Sequence, residues 1–272
     1  DYDIPYEIVQ DTDKYLKETI TEILEEGQVD NIKLGEKREM NCGEVCKIVA
    51  YHNSENITVL FENTNILLKN KTYNNFKKGS IKNPYTKKIY NKGFIGLGQY
   101  SWVNNPIAYK KWHGILDRCY SKYHQEKYPT YKGVTVCEQW LNFQNFAQWF
   151  EKNYNPEIME HWHLDKDIIC KECKTYSPET CAFVPADVNN LFIKNDIKRG
   201  VYPISVRKTK SQRFTSRLNS KHLGTFDTPE EAFQAYKVAK EEFIKEVAYK
   251  WKGLISPKVY EAMYNYQVEI TD

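Results

Sequence analysis

The pattern of apolar and polar positions changes several times along the chain, and each change predicts a different kind of element. Residues 11–27 repeat apolar side chains at helical spacing, with Asp11 or Thr12 suited to begin a helix and Gly27 suited to end it. The apolar stripe consists of Leu16, Ile20, Ile23 and Leu24. The sequence therefore predicts an amphipathic helix in this stretch.

The pattern becomes that of β-strands from Ile32 to Gly98. Val45–Tyr51 and Ile57–Phe61 are runs rich in β-branched residues, and the turn-forming stretch 52–56 separates them. Glycines and an Asn-Pro pair punctuate the remainder. A small antiparallel sheet or barrel is expected here.

Aromatic residues and a helical pattern characterise residues 106–155. Large aromatic side chains in such a pattern usually fill a core, and stacking on nucleic-acid bases is the less common alternative. The side chains expected in the core are Trp112, Leu116, Trp140, Phe143, Phe146 and Phe150.

Residues 200–250 combine short strands with a strong helix signal. Thr228 is suited to cap a helix, Pro229 suits its first position, and two glutamates in the first turn oppose the helix dipole. The strands predicted before this helix are Ile204–Lys208, Arg213–Leu218 and His222–Phe226.

The net charge of +3 conceals two oppositely charged segments. Residues 1–30 contain ten acidic residues and two lysines, a net charge of −8. Residues 198–222 contain eight basic residues and no acidic one, a net charge of +8. The basic segment predicts contact with phosphate, whereas phosphate would repel the acidic segment.

The acidic helix has two interpretations. A helix packed on its own domain would keep its charged face in solvent. Alternatively, the helix docks on a basic protein surface, with Leu16, Ile20, Ile23 and Leu24 as the apolar anchor. Both interpretations remain open.

The basic strands predict a nucleic-acid interface. Because side chains alternate along a strand, Arg213, Thr215 and Arg217 share one face, while Phe214 and Leu218 lie on the other. Arg207 has the same outward parity on the preceding strand. A sheet that presents arginines can lie in the major groove of double-stranded DNA and contact guanine with two hydrogen bonds.

Neither a membrane span nor a secreted scaffold is indicated. No stretch approaches the roughly 18 apolar residues that a transmembrane helix needs. The seven scattered cysteines do not resemble the framework of a secreted disulfide-rich protein. We therefore expect a soluble cytoplasmic protein with no membrane contact.

The stretch 162–192, WHLDKDIICKECKTYSPETCAFVPADVNNLF, places an Asp-bearing apolar segment before a turn-rich stretch and an Asn-ended helical segment. That order resembles the ββα metal-finger core of phage HNH homing-type endonucleases. The resemblance implies that Asp165 and Asn190 hold Mg²⁺ or another divalent cation, with Asn189 as the alternative ligand. The family's catalytic His position holds Lys166, and Thr180 stands where a structural Asn is usual.

Two residues are candidates for the base that activates water. Lys166 acts as a base only if burial lowers its pKa by several units from about 10.4. If residues 161–167 are extended, the polar side chains of one face offer His163 instead. That face consists of His161, His163, Asp165 and Asp167. A polar face in contact with solvent is the simpler interpretation.

The Cys170–Cys173 pair has the spacing of half a zinc site. Cys119, Cys137 and Cys181 are the cysteines that would have to complete it. Ordinary buried or hairpin thiols are the favoured interpretation, because free cysteines are commonly buried.

The C-terminal segment GVYPISVRKTKSQRFTSRLNSKHLGTFDTPEEAFQAYKVAKEEF is similar to the plant ethylene-response-factor DNA-binding domain, which also occurs appended to phage HNH nucleases. With YKKWHGILDRCYS and YKGVTVCEQWLNFQNFAQWF, which resemble the usual lead-in of these nucleases, the resemblance covers roughly residues 32–250. We therefore expect a modular α+β protein. Its predicted parts are an acidic helical arm (1–31), a small β module (32–100), an HNH-like core with its lead-in (101–197), a DNA-binding sheet and helix (198–250) and a C-terminal helix and tail (251–272).

These features predict two functions of different classes. The first is a metal-dependent DNA endonuclease in which the basic sheet holds the duplex. The second is a nuclease-derived phage protein that no longer cuts, and that regulates DNA or inhibits a host anti-phage defence protein through its acidic arm. Asp165, Asn190 and the basic sheet favour the first function, whereas Lys166, Thr180 and the acidic arm favour the second. The first is the leading prediction, because the order of the modules matches so much of the chain.

Overall fold

The computed structural model of this protein describes residues 33–171, 173–192, 203 and 205–270. These residues fall into two compact units, one formed by residues 33–88 and 94–97 and the other by the rest. Helices and small, mainly antiparallel sheets occur together, so the α+β class is confirmed. The predicted acidic helix and its stripe of Leu16, Ile20, Ile23 and Leu24 lie outside the described residues.

The first unit is built on a four-stranded antiparallel sheet whose strands pair in sequence order. The strands are β1 (Lys37–Glu39), β2 (Val45–Asn53), β3 (Asn56–Phe61) and β4 (Ile66–Lys71), and helix α1 (Tyr73–Lys77) follows. Apolar side chains on one face of the sheet, including Ile48, Val59 and Phe61, pack with Phe76 of α1. The predicted sheet is therefore present, with both expected strands slightly longer than predicted.

Helices dominate the first half of the second unit. They are α2 (Pro106–Tyr120), α3 (Lys122–Lys127), a 3-10 turn (Pro129–Tyr131), α4 (Glu138–Leu141), α5 (Phe143–Asn153) and α6 (Pro156–Met159). All six predicted core side chains in this region are buried. The indole Nε1 of Trp112 donates to the Trp140 carbonyl at 2.6 Å, so this buried aromatic side chain has its polar atom satisfied.

Short strand pairs follow these helices. Strand β5 (Thr135–Val136) pairs in parallel with β7 (Thr175–Tyr176), and β6 (His163–Asp165) pairs antiparallel with β8 (Ala182–Val184). Helix α7 (Ala186–Leu191) begins directly after β8.

The last part of the second unit is a three-stranded antiparallel sheet with a long helix. The sheet consists of β9 (Val206–Lys208), β10 (Phe214–Leu218) and β11 (Lys221–Phe226), with β10 in the centre. Helix α8 (Pro229–Lys250) packs on the sheet and α9 (Pro257–Tyr264) follows. The predicted cap is present, since the Thr228 side chain accepts from the Glu231 backbone and the Glu231 side chain bonds the Thr228 backbone.

No helix in the described part of the chain combines the length and apolar character needed to cross a lipid bilayer.

Candidate functional site

The first candidate region has the order strand, strand, helix. Strand β6 pairs with β8 in a register that sets Leu164 opposite Phe183 and Asp165 opposite Ala182, and α7 packs against β6. The strand residues form this pair because Leu164, Phe183 and the whole of β8 are apolar and buried, and Val188 of α7 is fully buried behind them. This arrangement places Asp165 at the end of β6.

The Asp165 carboxylate ends the strand. Its Oδ1 accepts hydrogen bonds from the backbone N–H groups of Asp167 and Ile168, both at 2.9 Å, and turns the chain away from the extended conformation. The condition that residues 161–167 are all extended is therefore not met, because β6 covers only residues 163–165. The four-residue polar face does not form, although His163 and Asp165 still share one face of β6.

The environment of Asp165 makes ionisation of its carboxyl less favourable than in water. Burial raises the pKa of this carboxyl above its ordinary value, and the backbone N–H groups of Ile168 and Asp167 offset part of that effect. The second oxygen, Oδ2, receives no hydrogen bond from the described residues. It is therefore the atom that could meet a cation.

The Lys166 side chain is buried and bonded within the protein. Its ammonium donates to Asp167 Oδ1 and, at 3.1 Å, to the Cys173 carbonyl, and it lies 5.9 Å from the centre of the Tyr176 ring. A general base needs a free lone pair within reach of substrate. The geometry thus favours a structural role for Lys166. The exposed His163 is then the imidazole on this strand that remains as the candidate base.

Thr180 stabilises the loop between β7 and β8 through two hydrogen bonds to the backbone. Its Oγ1 accepts from the Ser177 backbone N–H at 3.1 Å and donates to the Thr175 carbonyl at 2.7 Å. Thr180 therefore connects two backbone groups of this loop.

Helix α7 carries both candidate amide ligands. Asn190 is exposed and Asn189 is partly exposed, and neither side chain makes a hydrogen bond among the described residues. Magnesium ions bind oxygen ligands, often one or two carboxylates completed by water. Asp165 and Asn190 fit that set by type, while the described residues contain no cluster of three or more His, Cys, Asp and Glu side chains that could hold a metal ion.

Asp187, in the first turn of α7, fastens this helix to the end of α8. Its Oδ2 accepts from Lys250 Nζ at 2.8 Å and from the indole of Trp251 at 3.0 Å. The sequence analysis missed this contact, because more than sixty positions separate the partners and no local pattern connects them.

The cysteine prediction needs correction. Cys170 and Cys173 form a disulfide instead of free thiols or half a zinc site. Cys119 and Cys181 are free and buried. This agrees with the favoured interpretation, in which these cysteines are ordinary buried thiols.

The second candidate region is the outward face of the three-stranded sheet. Phe214 and Ser216 point inward and are buried, whereas Arg213 and Arg217 are exposed. Thr215 lies directly opposite Arg207 on β9 and opposite Thr225 on β11, so these three residues form a row across the sheet. The outward parity predicted for Arg207, Arg213, Thr215 and Arg217 is therefore present.

The arginines on this face differ in their partners. Arg213 Nε lies 2.8 Å from Asp227 Oδ1, and its guanidinium also donates to the Thr225 carbonyl at 3.3 Å. Arg207 and Arg217 form no ion pair with any described residue. Two of the three arginines are therefore available to a ligand.

The Asp227 partner could not have been found from the sequence alone, because it depends on a register shift between Ser216 and Arg217. Without that shift Arg213 would stand opposite Phe226. Asn219 and Ser220 both have positive φ, as the two-residue turn of a hairpin requires. Counting back from that turn, with the bulge after Ser216, sets Phe214 opposite Phe226 and hence Arg213 next to Asp227.

The inner face of the sheet contains an unsatisfied hydroxyl. Ser216 is fully buried, and its Oγ has no hydrogen-bond partner among the described residues. Across from it, a methyl group on Gly224 would lie 2.6 Å from Cζ of Phe226, so the ring occupies the space that any larger residue would need.

No protein-family model matches this chain, and the searches of curated proteins and of solved structures found no match either.

Proposed function

We propose that this protein binds double-stranded DNA through the outward face of the three-stranded sheet. The observation that carries the proposal is the pair of exposed arginines, Arg207 and Arg217, which no described acidic side chain neutralises. Thr215 lies on the same strand as Arg217 and directly opposite Arg207, and its hydroxyl donates to the Arg207 carbonyl at 3.5 Å.

The surroundings of these arginines support a polyanionic partner. The described residues from 205 to 226 include no acidic side chain, so phosphate is not repelled. Apolar packing of Val206, Phe214 and Ala232 holds the sheet on α8 and so fixes the directions of the arginines. A rigid strand pair fits the major groove, which is about 12 Å wide, and guanidinium groups match the acceptors of guanine there.

The test compares two double variants in duplex binding at several salt concentrations. Arg207→Ala with Arg217→Ala should weaken binding and reduce the salt slope by about one for each lost phosphate contact. Lys245→Ala with Lys252→Ala removes the same charge from exposed positions elsewhere and should leave the slope nearly unchanged. Equal losses in both variants would refute a specific role for the sheet.

A second function, metal-dependent cleavage of DNA, is supported by the strand–strand–helix arrangement around Asp165. In this proposal Asp165 Oδ2 and Asn190 would hold a divalent cation, and such a cation stabilises the leaving oxygen. His163 would accept the proton of the attacking water, since it shares a face of β6 with Asp165.

Plasmid cleavage with Mg²⁺ and Mn²⁺ separates the two functions. Cleavage that is lost in Asp165→Ala and His163→Ala but retained in Lys166→Met would support this site and assign the base. If the wild-type protein binds duplex DNA and cuts with neither cation, binding alone is the function.

The predicted inhibition of a host defence protein rests on residues outside the described part, and it stays a prediction. Both proposals place the protein in the host cytoplasm, where duplex DNA is accessible.

A further inference from the structure

The seven cysteines of this chain comprise five free cysteines and one disulfide pair. Cys42 and Cys137 are free and partly buried. Cys46, Cys119 and Cys181 are buried, and burial raises the pKa of each thiol to about 12, so they hold few reactive thiolates at neutral pH. Cys170 and Cys173 form a disulfide, and both are only partly buried. This pair is therefore open to an attacking thiol, while the three buried thiols are not.

The disulfide lies beside the buried lysine of the first candidate region. It closes a short loop after β6, and the Cys173 N–H donates to the Cys170 carbonyl at 3.1 Å. The carbonyl of Cys173 is in turn an acceptor for the Lys166 ammonium. The Cys173 carbonyl, which is one of the two acceptors of the Lys166 ammonium, is therefore held in place by a disulfide that a thiol can open.

We propose that Cys170 and Cys173 form a thiol–disulfide exchange site for a small thiol of the glutathione class, and that its redox state determines how firmly Lys166 is held. This proposal is independent of DNA binding and of cleavage.

The exchange takes two steps that balance. A thiolate of the small thiol attacks one sulfur of the pair, which forms a mixed disulfide and releases the other cysteine as a thiolate that takes up a proton. A second small thiol then attacks the mixed disulfide and leaves as the oxidised small-molecule disulfide. The protein gains two electrons and two protons, and the two small thiols lose them.

Opening the disulfide removes the covalent closure that fixes the Cys173 carbonyl. The Lys166 ammonium then keeps Asp167, a largely exposed carboxylate, as its fixed partner. We expect the amine to become more accessible to solvent.

The test incubates the full chain, without denaturant, in glutathione buffers of defined reduced and oxidised proportions, followed by alkylation with N-ethylmaleimide and intact-mass measurement. In a Cys42→Ser, Cys137→Ser background, which removes the two partly buried free thiols, the protein should gain two alkylated thiols in the reduced buffer relative to the oxidised buffer. Cys170→Ser and Cys173→Ser should each lose this paired step and instead take up one glutathione in the oxidised buffer.

Three results would overturn the exchange site. The pair could resist glutathione until the protein is denatured, which would make it a fixed crosslink. Both thiols could be alkylated already in the oxidised buffer. Alternatively, they could become reactive only after a chelator removes zinc.

Amine acetylation tests the link to Lys166. The ratio of acetylation at Lys166 to that at the exposed Lys210 should rise severalfold on reduction. The same ratio in both redox states would refute the link.

Discussion

Around β6 the charged side chains bond to the protein itself, whereas on the three-stranded sheet they face solvent. Asp165 ends a strand with two backbone hydrogen bonds, and Lys166 connects Asp167 to the Cys173 carbonyl. Arg207 and Arg217 have no comparable partner among the described residues. A charged residue in a motif therefore indicates a function only when its charge is still available.

The difference has an energetic reason. A buried charge is strongly unfavourable unless hydrogen bonds or an opposite charge compensate it, so Lys166 must be paired wherever it is buried. An exposed arginine keeps its hydration and needs no partner in the free protein. Variants in both regions test this difference between paired and exposed charges.

Gly224→Ala should disrupt the sheet that presents the arginines. The added methyl group would overlap the Phe226 ring, and overpacking of this kind costs about 1–3 kcal/mol of unfolding free energy. Denaturant unfolding measures the loss. Adding Phe226→Leu should recover part of it, and strict additivity of the two changes would contradict the proposed overlap.

Lys166→Ala and Lys166→Met distinguish a structural role of Lys166 from a catalytic one. The alanine variant leaves a cavity and should lose about 2 kcal/mol, while methionine keeps most of the volume and should lose less than about 1.5 kcal/mol. Thermal unfolding compares the two. Equal destabilisation by both variants would show that the ammonium contacts, and not the packed side-chain stem, provide the stability.

Asp165→Asn should make the protein more stable at neutral pH, because the amide carries no charge in a position where burial disfavours the carboxylate. The raised pKa means that the folded carboxyl binds its proton more tightly than the unfolded one, so wild-type stability falls as pH rises through the unfolded and then the folded pKa. The amide oxygen can accept the same two backbone hydrogen bonds without a charge.

Unfolding curves between pH 3 and pH 7 test this sign, with pH values chosen around the ordinary Asp pKa of about 3.9. The variant should lack the wild-type decrease over that range. A variant that is less stable than wild type at neutral pH would mean that the folded protein favours the carboxylate.

Ser216→Ala should have the smallest effect, a gain of up to about 1 kcal/mol, because it removes a buried hydroxyl without a partner. Its DNA affinity should equal that of wild type, since Ser216 faces α8 and not solvent. Lower stability after this change would indicate that the hydroxyl has a partner in solution.

The regular elements were largely predictable, because local patterns determine them. The strands of the three-stranded sheet, the Thr228 cap and the six buried side chains of the lead-in follow from periodicity and capping chemistry. The end of β6 was not predictable, since one side chain, Asp165, competes with the strand for its own backbone. The Cys170–Cys173 bond and the Asp187 contacts were missed because they depend on which groups meet in space.

Because Asp187 is bonded to Lys250, helix α8 sets the distance between the three-stranded sheet and α7. The sheet packs near the start of this helix through Ala232, and the helix reaches Asp187 at Lys250. Eighteen residues at about 1.5 Å each separate these two points by roughly 27 Å. If the proposed DNA-binding face and the proposed cleavage site contact one duplex parallel to α8, this distance corresponds to about eight base pairs, because a duplex rises about 3.4 Å per base pair. Lengthening α8 by one turn would then move one contact by between one and two base pairs.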